Sequence, residues 1–349
     1  MRTFQLIKVK AISHYERGVE YGEQAREKIR AGIEGYRKLF SDTSNMSWVD
    51  IKSYALSYIP VIEEVFPEIV EEVKGISAGA EVGLDEVMVL NCRYEITKFP
   101  HPNECTSFAV LPEAGKDGGT YIGQNWDYRA GIIDNIVVIH IEEQDGTRIF
   151  GLAEAGQVIR NGFNNHGIGL CANNLQSIYD SRGRGIPVTF LRRKVLSCRS
   201  FEEARKLIID AKRSVSCNFM LASSEGKAVN LETYPGGTDF LMPVDGTVTH
   251  ANHFVIRPEI HALETSPRGE RLEQLLREKQ GSIDIAHIKK CLCDHENYPK
   301  AICRHPSNVS IPLGIRDITV AGVIYDFNGG IAYVCAGPPC EGEFIAYEL

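Results

Sequence analysis

The sequence has no long run of lysine and arginine and no basic stripe, and its formal charge is −8. Polyanions are held mainly by clustered cations. Nucleic acid and an anionic membrane surface are therefore not expected as partners. No apolar stretch approaches the length of a membrane span, and residues 1–10 carry no apolar core of signal-peptide size. The expectation is a soluble, cytoplasmic protein. Among the ten cysteines there is no C-x-x-C pair, which argues against a structural zinc site, and no metal is expected. Cys92, Cys171, Cys217 and Cys335 lie in apolar or strand-like stretches, where free cysteine behaves as a small hydrophobe. Cys291 and Cys293 stand two apart on an expected helix and so point to different faces. A chain of 349 residues does not depend on disulfides for a core. Internal repeats, low-complexity tracts and flexible linkers are missing as well.

What is present divides near residue 104. Upstream, apolar residues recur at helical spacing: Tyr15, Val19, Tyr21, Ala25 and Ile29 across 15–40. Ser47 is an expected N-cap for a helix running to Tyr58. Pro67 sits where the first turn of another helix tolerates it, and Asp85 is the expected cap of a fourth. Downstream, period-2 alternation takes over. Strands are expected over 105–111, 120–124, 135–141, 148–152 and 167–172. Further strands are expected over 217–223, 227–234, 247–253, 317–325, 330–335 and 343–347. Asp145-Gly146 is a hairpin turn signal. Helices at 187–197, 200–212, 267–279 and 284–293 interrupt the strands. This order fits layered α+β packing.

The junction itself is Asn103-Glu104-Cys105-Thr106-Ser107. Pro100 and Pro102 stop the preceding helix. If the Glu104–Cys105 bond is cut, Cys105 gains an α-amino group beside its thiol. Such an amine titrates near ~8, so one residue can supply both nucleophile and base. Four polar segments stand next to strands. Asp127, in Gly123-Gln-Asn-Trp-Asp-Tyr128, is an acid able to orient that amine or thiol. The stretch from Glu154 through Arg160 to Gly167 reads as a hairpin, and Asn173-Asn174 follow it. Asn252, in His250-Ala-Asn-His253, is a carboxamide able to hold an oxyanion. Arg304 follows Asp294-His-Glu-Asn-Tyr-Pro299 and is expected to pair with Asp127 in bidentate fashion.

In these segments, taken in order, the chain resembles the acyl-coenzyme A:6-aminopenicillanate (isopenicillin N) acyltransferase family of N-terminal nucleophile hydrolases. The resemblance implies a four-layer αββα sandwich, two antiparallel sheets flanked by helices. It implies Cys105 as the self-exposed nucleophile, Asp127 as the acid near it, Asn252 as the oxyanion donor and Arg304 as the arginine near that acid. Thr106, Tyr128 and Asn173 are expected to bind substrate. Residues 1–104 are then a helical segment cut from a catalytic part, 105–349, with both fragments remaining associated in one compact domain. Glu104 stands where the penicillin-acting member has glycine, and Cys217 where serine is expected.

The implied activity is a self-processing cysteine hydrolase that cleaves a small amide, or transfers its acyl group, through a Cys105 thioester. No cofactor is expected, because nothing reads as a dedicated coenzyme A site. An acyl-coenzyme A-dependent N-acyltransferase is the first alternative. A papain-like pairing of Cys105 with His250 is a second, and a silent binding protein on the same fold is a third.

Overall fold

The computed structural model describes residues 2–96, 105–180, 183–262, 265–306 and 317–349. Its elements begin with strand β1 (Gln5–Val9) and helix α1 (His14–Thr43). Ser13 caps α1 by accepting from the Glu16 N–H, while the Glu16 carboxylate reaches back to the Ser13 N–H. Helices α2 (Trp48–Leu56), α3 (Ile59–Val65), α4 (Pro67–Ala80), α5 (Leu84–Asn91) and α6 (Arg93–Ile96) follow. Then come β2 (Thr106–Val110), β3 (Tyr121–Arg129), β4 (Ile136–Glu142), β5 (Arg148–Glu154), β6 (Asn161–Asn164) and β7 (Ile168–Asn174). After α7 (Val188–Val195) and α8 (Phe201–Asp210) stand β8 (Cys217–Ser223), β9 (Lys227–Tyr234), β10 (Gly237–Leu241) and β11 (Thr247–His250). The chain closes with α9 (Arg268–Arg277), α10 (Ile285–Leu292), β12 (Asp317–Asp326), β13 (Ile331–Ala336) and β14 (Phe344–Glu348).

The strands form two sheets. One has eight strands in the order β1-β4-β5-β6-β7-β8-β9-β10, and the other six in the order β11-β2-β3-β12-β13-β14. Pairing is antiparallel except between β1 and β4. Three apolar layers separate the elements. One joins α1, α2, α4, α5, α7 and α8 to the outer face of the larger sheet, through residues such as Ile29, Val73, Phe190, Ile139 and Leu170. A second lies between the sheets, around Trp126, Phe150, Phe163 and Val323. The third packs Leu272, Leu276, Ile288 and Leu292 of α9 and α10 onto Phe108, Val110 and Ile324. The result is the αββα sandwich that the resemblance implies. The first layer takes residues from both sides of position 104, so the helical third and the strands share one core.

Several expectations change. The strand β1 was not expected; its buried Ile7 and Val9 close the edge of β4. Asn161–Asn164, read as hairpin turn, is a buried central strand. Gly237–Leu241, outside every expected strand, pairs with β9. The N-cap of α5 is Gly83 rather than Asp85, with the Gly83 N–H donating to the Glu86 carboxylate. Tyr15 is exposed, and α1 instead buries Arg17, Gly18 and Gly22, which lets α4 approach closely.

Candidate active site

Cys105 immediately precedes β2 and has no exposed surface. Side chains alternate along β2. Cys105, Ala109 and Leu111 face the inter-sheet layer, while Phe108 and Val110 face α9 and α10. The Cys105 Sγ lies 3.5 Å from Arg160 Nη2 and 3.9 Å from the Asp127 carbonyl oxygen. Arg160 comes from the turn between β5 and β6 in the facing sheet. Its guanidinium stacks over the Trp126 ring at 4.2 Å and also donates to the Tyr94 hydroxyl. A fixed cation therefore stands beside the sulfur.

Tyr94 is ringed by arginines, with Arg93 and Arg192 stacked on it at 4.8 and 5.2 Å. Burial pushes its phenol up, but Arg160, Arg93 and Arg192 outweigh that and bring it down to about 8. Arg93 is itself buried and pairs with Glu154, which also accepts from the Tyr36 hydroxyl at 2.8 Å. Tyr36 and Tyr128 place their hydroxyls 3.3 Å apart. Both line a cleft of about 280 Å³ together with Gly32, Leu39, Ile132 and Glu154. Tyr128 is thus at a cavity.

The Asp127 carboxylate points the other way. Trp126 and Tyr128 face the inter-sheet layer, so Asp127 between them faces α9. There its Oδ1 accepts from the Thr319 hydroxyl at 2.6 Å, and Arg268 Nη1 stands 3.8 Å from its Oδ2. Arg268 continues to Asn252, donating to its Oδ1 at 3.0 Å. Asn252 Nδ2 donates to the Asn174 carbonyl at 2.7 Å. Since β11 pairs with β2 and places His250 opposite Ser107, the residues after His250 run back alongside Cys105. The arrangement is a chain Thr319–Asp127–Arg268–Asn252 under the strand that Cys105 begins. A guanidinium on Oδ1 fixes which end of the carboxamide is the donor. One Asn252 N–H serves Asn174, and among the described residues the other has no partner.

The arginine placed beside Asp127 is therefore Arg268, not the expected Arg304. Arg304 Nη2 stands 3.9 Å from Asp317, and the Arg304 N–H donates to the Thr319 hydroxyl at 2.8 Å. Strand-like pairing with Thr319, completed by the Thr319 N–H to the Arg304 carbonyl at 3.0 Å, holds the backbone of Arg304 there. Its link to Asp127 runs through Thr319. His250 has both ring nitrogens engaged, by Glu232 at 2.8 Å and the Ala251 carbonyl at 2.7 Å. It is part of the β9–β11 junction and not a base for Cys105. Asn173 is fully buried, its carboxamide nitrogen lying 2.8 Å from Ser107 Oγ and 3.2 Å from the His250 carbonyl. It ties the two sheets together. Thr106 is buried next to Cys105. Glu104, like Pro100, Pro102 and Asn103, lies outside the described residues.

Sequence reading missed Arg160, Tyr94, Arg268 and Thr319. Arg160 stood in a stretch read only as hairpin, and Arg268 beside Gly269 in one read only as a helix start. That they are buried follows only from the packing of the two sheets and α9.

The fold is thus a two-sheet sandwich with a buried cysteine just ahead of β2, and with a carboxylate, a guanidinium and a carboxamide linked on the α9 side of the same sheet. Residues 114–341 match the family described as acyl-coenzyme A:6-aminopenicillanic acid acyl-transferase, and the chain belongs to that family. It is 25% identical, over 341 residues, to the 40 kDa form of acyl-coenzyme A:6-aminopenicillanic-acid-acyltransferase from Emericella nidulans, covering 93% of this chain and 90% of that protein. Solved structures that it resembles include a Caenorhabditis elegans ortholog of N-acylethanolamine-hydrolyzing acid amidase. That match has 16% identity, a TM-score of 0.48, and covers 64% of this chain and 93% of the other. Another is a variant of conjugated bile acid hydrolase from Clostridium perfringens, with 15% identity, a TM-score of 0.47, and coverage of 70% and 97%. Among the described residues, no helix is long and apolar enough to cross a membrane.

Proposed function

We propose that this enzyme cleaves the bond between Glu104 and Cys105 in its own chain and then uses Cys105 as the nucleophile on a small linear amide. Family membership supports an enzyme that moves acyl groups at amide carbon–nitrogen bonds. The observation that carries the assignment to Cys105 is its position at the start of β2. There its sulfur is beside Arg160, and the chain Asp127–Arg268–Asn252 underlies it.

In the uncut chain Cys105 has no exposed surface, so an external amide needs a change at this residue. Cleavage supplies one. The Cys105 thiol adds to the Glu104 carbonyl, the peptide nitrogen leaves as the α-amine, and water hydrolyses the resulting thioester. The freed α-amine, of ordinary pKa ~8, then takes the thiol proton. The thiolate adds to the substrate carbonyl. The free N–H of Asn252 and a backbone N–H hold the oxyanion, with Arg268 and Asp127 as positioning residues that orient the carboxamide. Collapse of the tetrahedral adduct expels the amine, which leaves with the proton carried by the Cys105 α-ammonium. Water hydrolyses the acyl-thioester and frees the acid.

Transfer of the acyl group to a second amine is the alternative last step. It is favoured by the similarity, over most of both chains, to a protein named for acyl-coenzyme A and 6-aminopenicillanic acid. We favour hydrolysis, with the two fragments held together by the apolar layer that spans residues on both sides of position 104.

Intact mass spectrometry tests the reading. The expected result is two fragments, 1–104 and 105–349, that co-elute under native conditions, with Cys105→Ala remaining one chain. Full-length protein with undiminished amidase activity would overturn it. Supplying hydroxylamine or a second amine separates transfer from hydrolysis by product.

A further inference from the structure

Away from Cys105, four side chains from three separated segments converge. His295, Cys303 and His305 lie between α10 and β12, and Cys340 lies between β13 and β14. One ligand-type atom from each falls within 4.8 Å of every other. His305 Nε2 is 3.1 Å from His295 Nε2, 3.1 Å from Cys340 Sγ and 3.7 Å from Cys303 Sγ. Zinc bonds of about 2.0–2.1 Å to nitrogen and 2.3 Å to sulfur put neighbouring atoms of a tetrahedron about 3.3–3.8 Å apart. The separations around His305 are close to these edges. Two imidazole nitrogens and two sulfurs meeting on one point cannot all satisfy one another by hydrogen bonds, because each ring offers a single free nitrogen there.

A second feature points to a cation. The other ring nitrogen of His305, Nδ1, is 3.4 Å from the Glu341 carboxylate. A carboxylate on the far nitrogen is the usual partner of a metal-bound histidine, fixing Nε2 as the lone-pair donor. Two thiolates neutralise a divalent cation, so the filled site carries no net charge. Mixed sulfur and imidazole donors select zinc or a similar borderline ion over magnesium or calcium. The loop is shaped for this without the ion: the Cys303 N–H donates to the Asp294 carbonyl at 2.9 Å, which brings His295 back beside 303–305.

We propose that His295, Cys303, His305 and Cys340 bind one zinc ion, which pins the loop carrying Arg304 to the β13–β14 connection. Binding releases the two thiol protons. Because Arg304 lies between two ligands, and its N–H bonds Thr319, which in turn bonds Asp127, the ion braces the outer side of the active site. Spacing in sequence argued against zinc because the ligands come from three segments, none with a paired motif.

The test is elemental analysis of the untagged full-length enzyme, purified under reducing conditions without chelator. About one zinc per chain is expected. Cobalt(II) should give four-coordinate d–d bands and a thiolate-to-cobalt charge-transfer band. His295→Ala, at an exposed ligand, and Cys340→Ser should each lose the metal, while Cys198→Ser keeps it. If a variant fails to fold, chelation of the wild-type enzyme gives the same answer: the melting temperature should fall and recover on adding zinc. No zinc uptake by the reduced protein would overturn the proposal. So would a Cys303–Cys340 disulfide, seen in non-reduced peptide maps, as the stable form under reducing purification.

Discussion

Where α1 crosses α4, the contact is made by glycine. A Cβ on Gly18 would sit 2.1 Å from the Glu72 carbonyl, and one on Gly75 would sit 2.0 Å from that of Tyr15. Around Cys105 the filling is of the opposite kind. Arg93, Arg160 and Arg192, all buried, surround Tyr94 and are balanced by Glu154 and by hydroxyl, thiol and ring partners. Both regions exclude water. The first is held by backbone approach and dispersion, which tolerate no added atom. The second is held by charges that are each costly alone and stable only together. The helix seam is thus suited to hold α1 and α4 together as one rigid unit. The charged layer is suited to a site whose groups must be held in set protonation states.

The contrast can be broken most severely at the seam. Gly75→Val forces α1 and α4 apart and should cost more than about 4 kcal/mol, in the range kept for severe core damage. Gly35→Ala, on the same α1 but with nothing within 4 Å of the added carbon, should be neutral or slightly stabilising. Denaturant midpoints for the pair decide it, and a normal midpoint for Gly75→Val would mean that the seam is not tight.

In the charged layer, Arg93→Met strands the Glu154 carboxylate and should cost about 3–5 kcal/mol. Adding Glu154→Gln should recover much of that, so a double-mutant cycle should show strong coupling. Additive losses would mean that the pair is not a unit.

At the site, Asn252→Ala should lower kcat by about 10²–10³-fold with folding intact. Arg268→Gln should follow it in direction, through the orientation of the carboxamide, with kcat affected more than KM. If Arg304→Gln instead produced the larger loss, the guanidinium that matters would be Arg304's.

The smallest effect concerns Glu95. Burial, only partly offset by the Val188 N–H and nearby arginines, pushes its carboxyl up to about 7. A raised acid contributes stability that is present below the ordinary carboxylate range and is lost as pH rises towards 7. Stability should therefore fall by about 1–3 kcal/mol between pH 4.5 and 7 from this group. Glu95→Gln, which keeps the acceptor for Val188, should flatten that part of the profile, and an unchanged profile would assign the pH dependence to other groups.

Much of the order of elements was legible locally. Ser47 and Ser200 cap the helices they precede, and the strands from 217 to 234 lie where alternation put them. Caps and period-2 patterns act over a few residues and need no partner. The strands Gln5–Val9 and Asn161–Asn164 were not legible, because their extended form is set by neighbours in the sheet and not by their own composition.

The same division runs through the site. Cys105 at a helix-to-strand junction, Asp127 at a strand end and Asn252 in a short polar strand segment are facts of sequence order, and the order β11-β2-β3 within one sheet lays them side by side. Which arginine meets Asp127 was not in the sequence. Arg304 and Arg268 both precede or follow polar loops, and only the seating of α9 against β11 brings Arg268 in, while Thr319 draws the backbone of Arg304 aside. Arg160 came beside the sulfur in the same way, across the gap between two sheets. His295, Cys303 and Cys340 came to His305 in the same way, contributed from both sides of β12. Composition and spacing determine what each segment can do by itself. Convergence of side chains from distant segments depends on strand register and layer stacking, which are properties of the whole core.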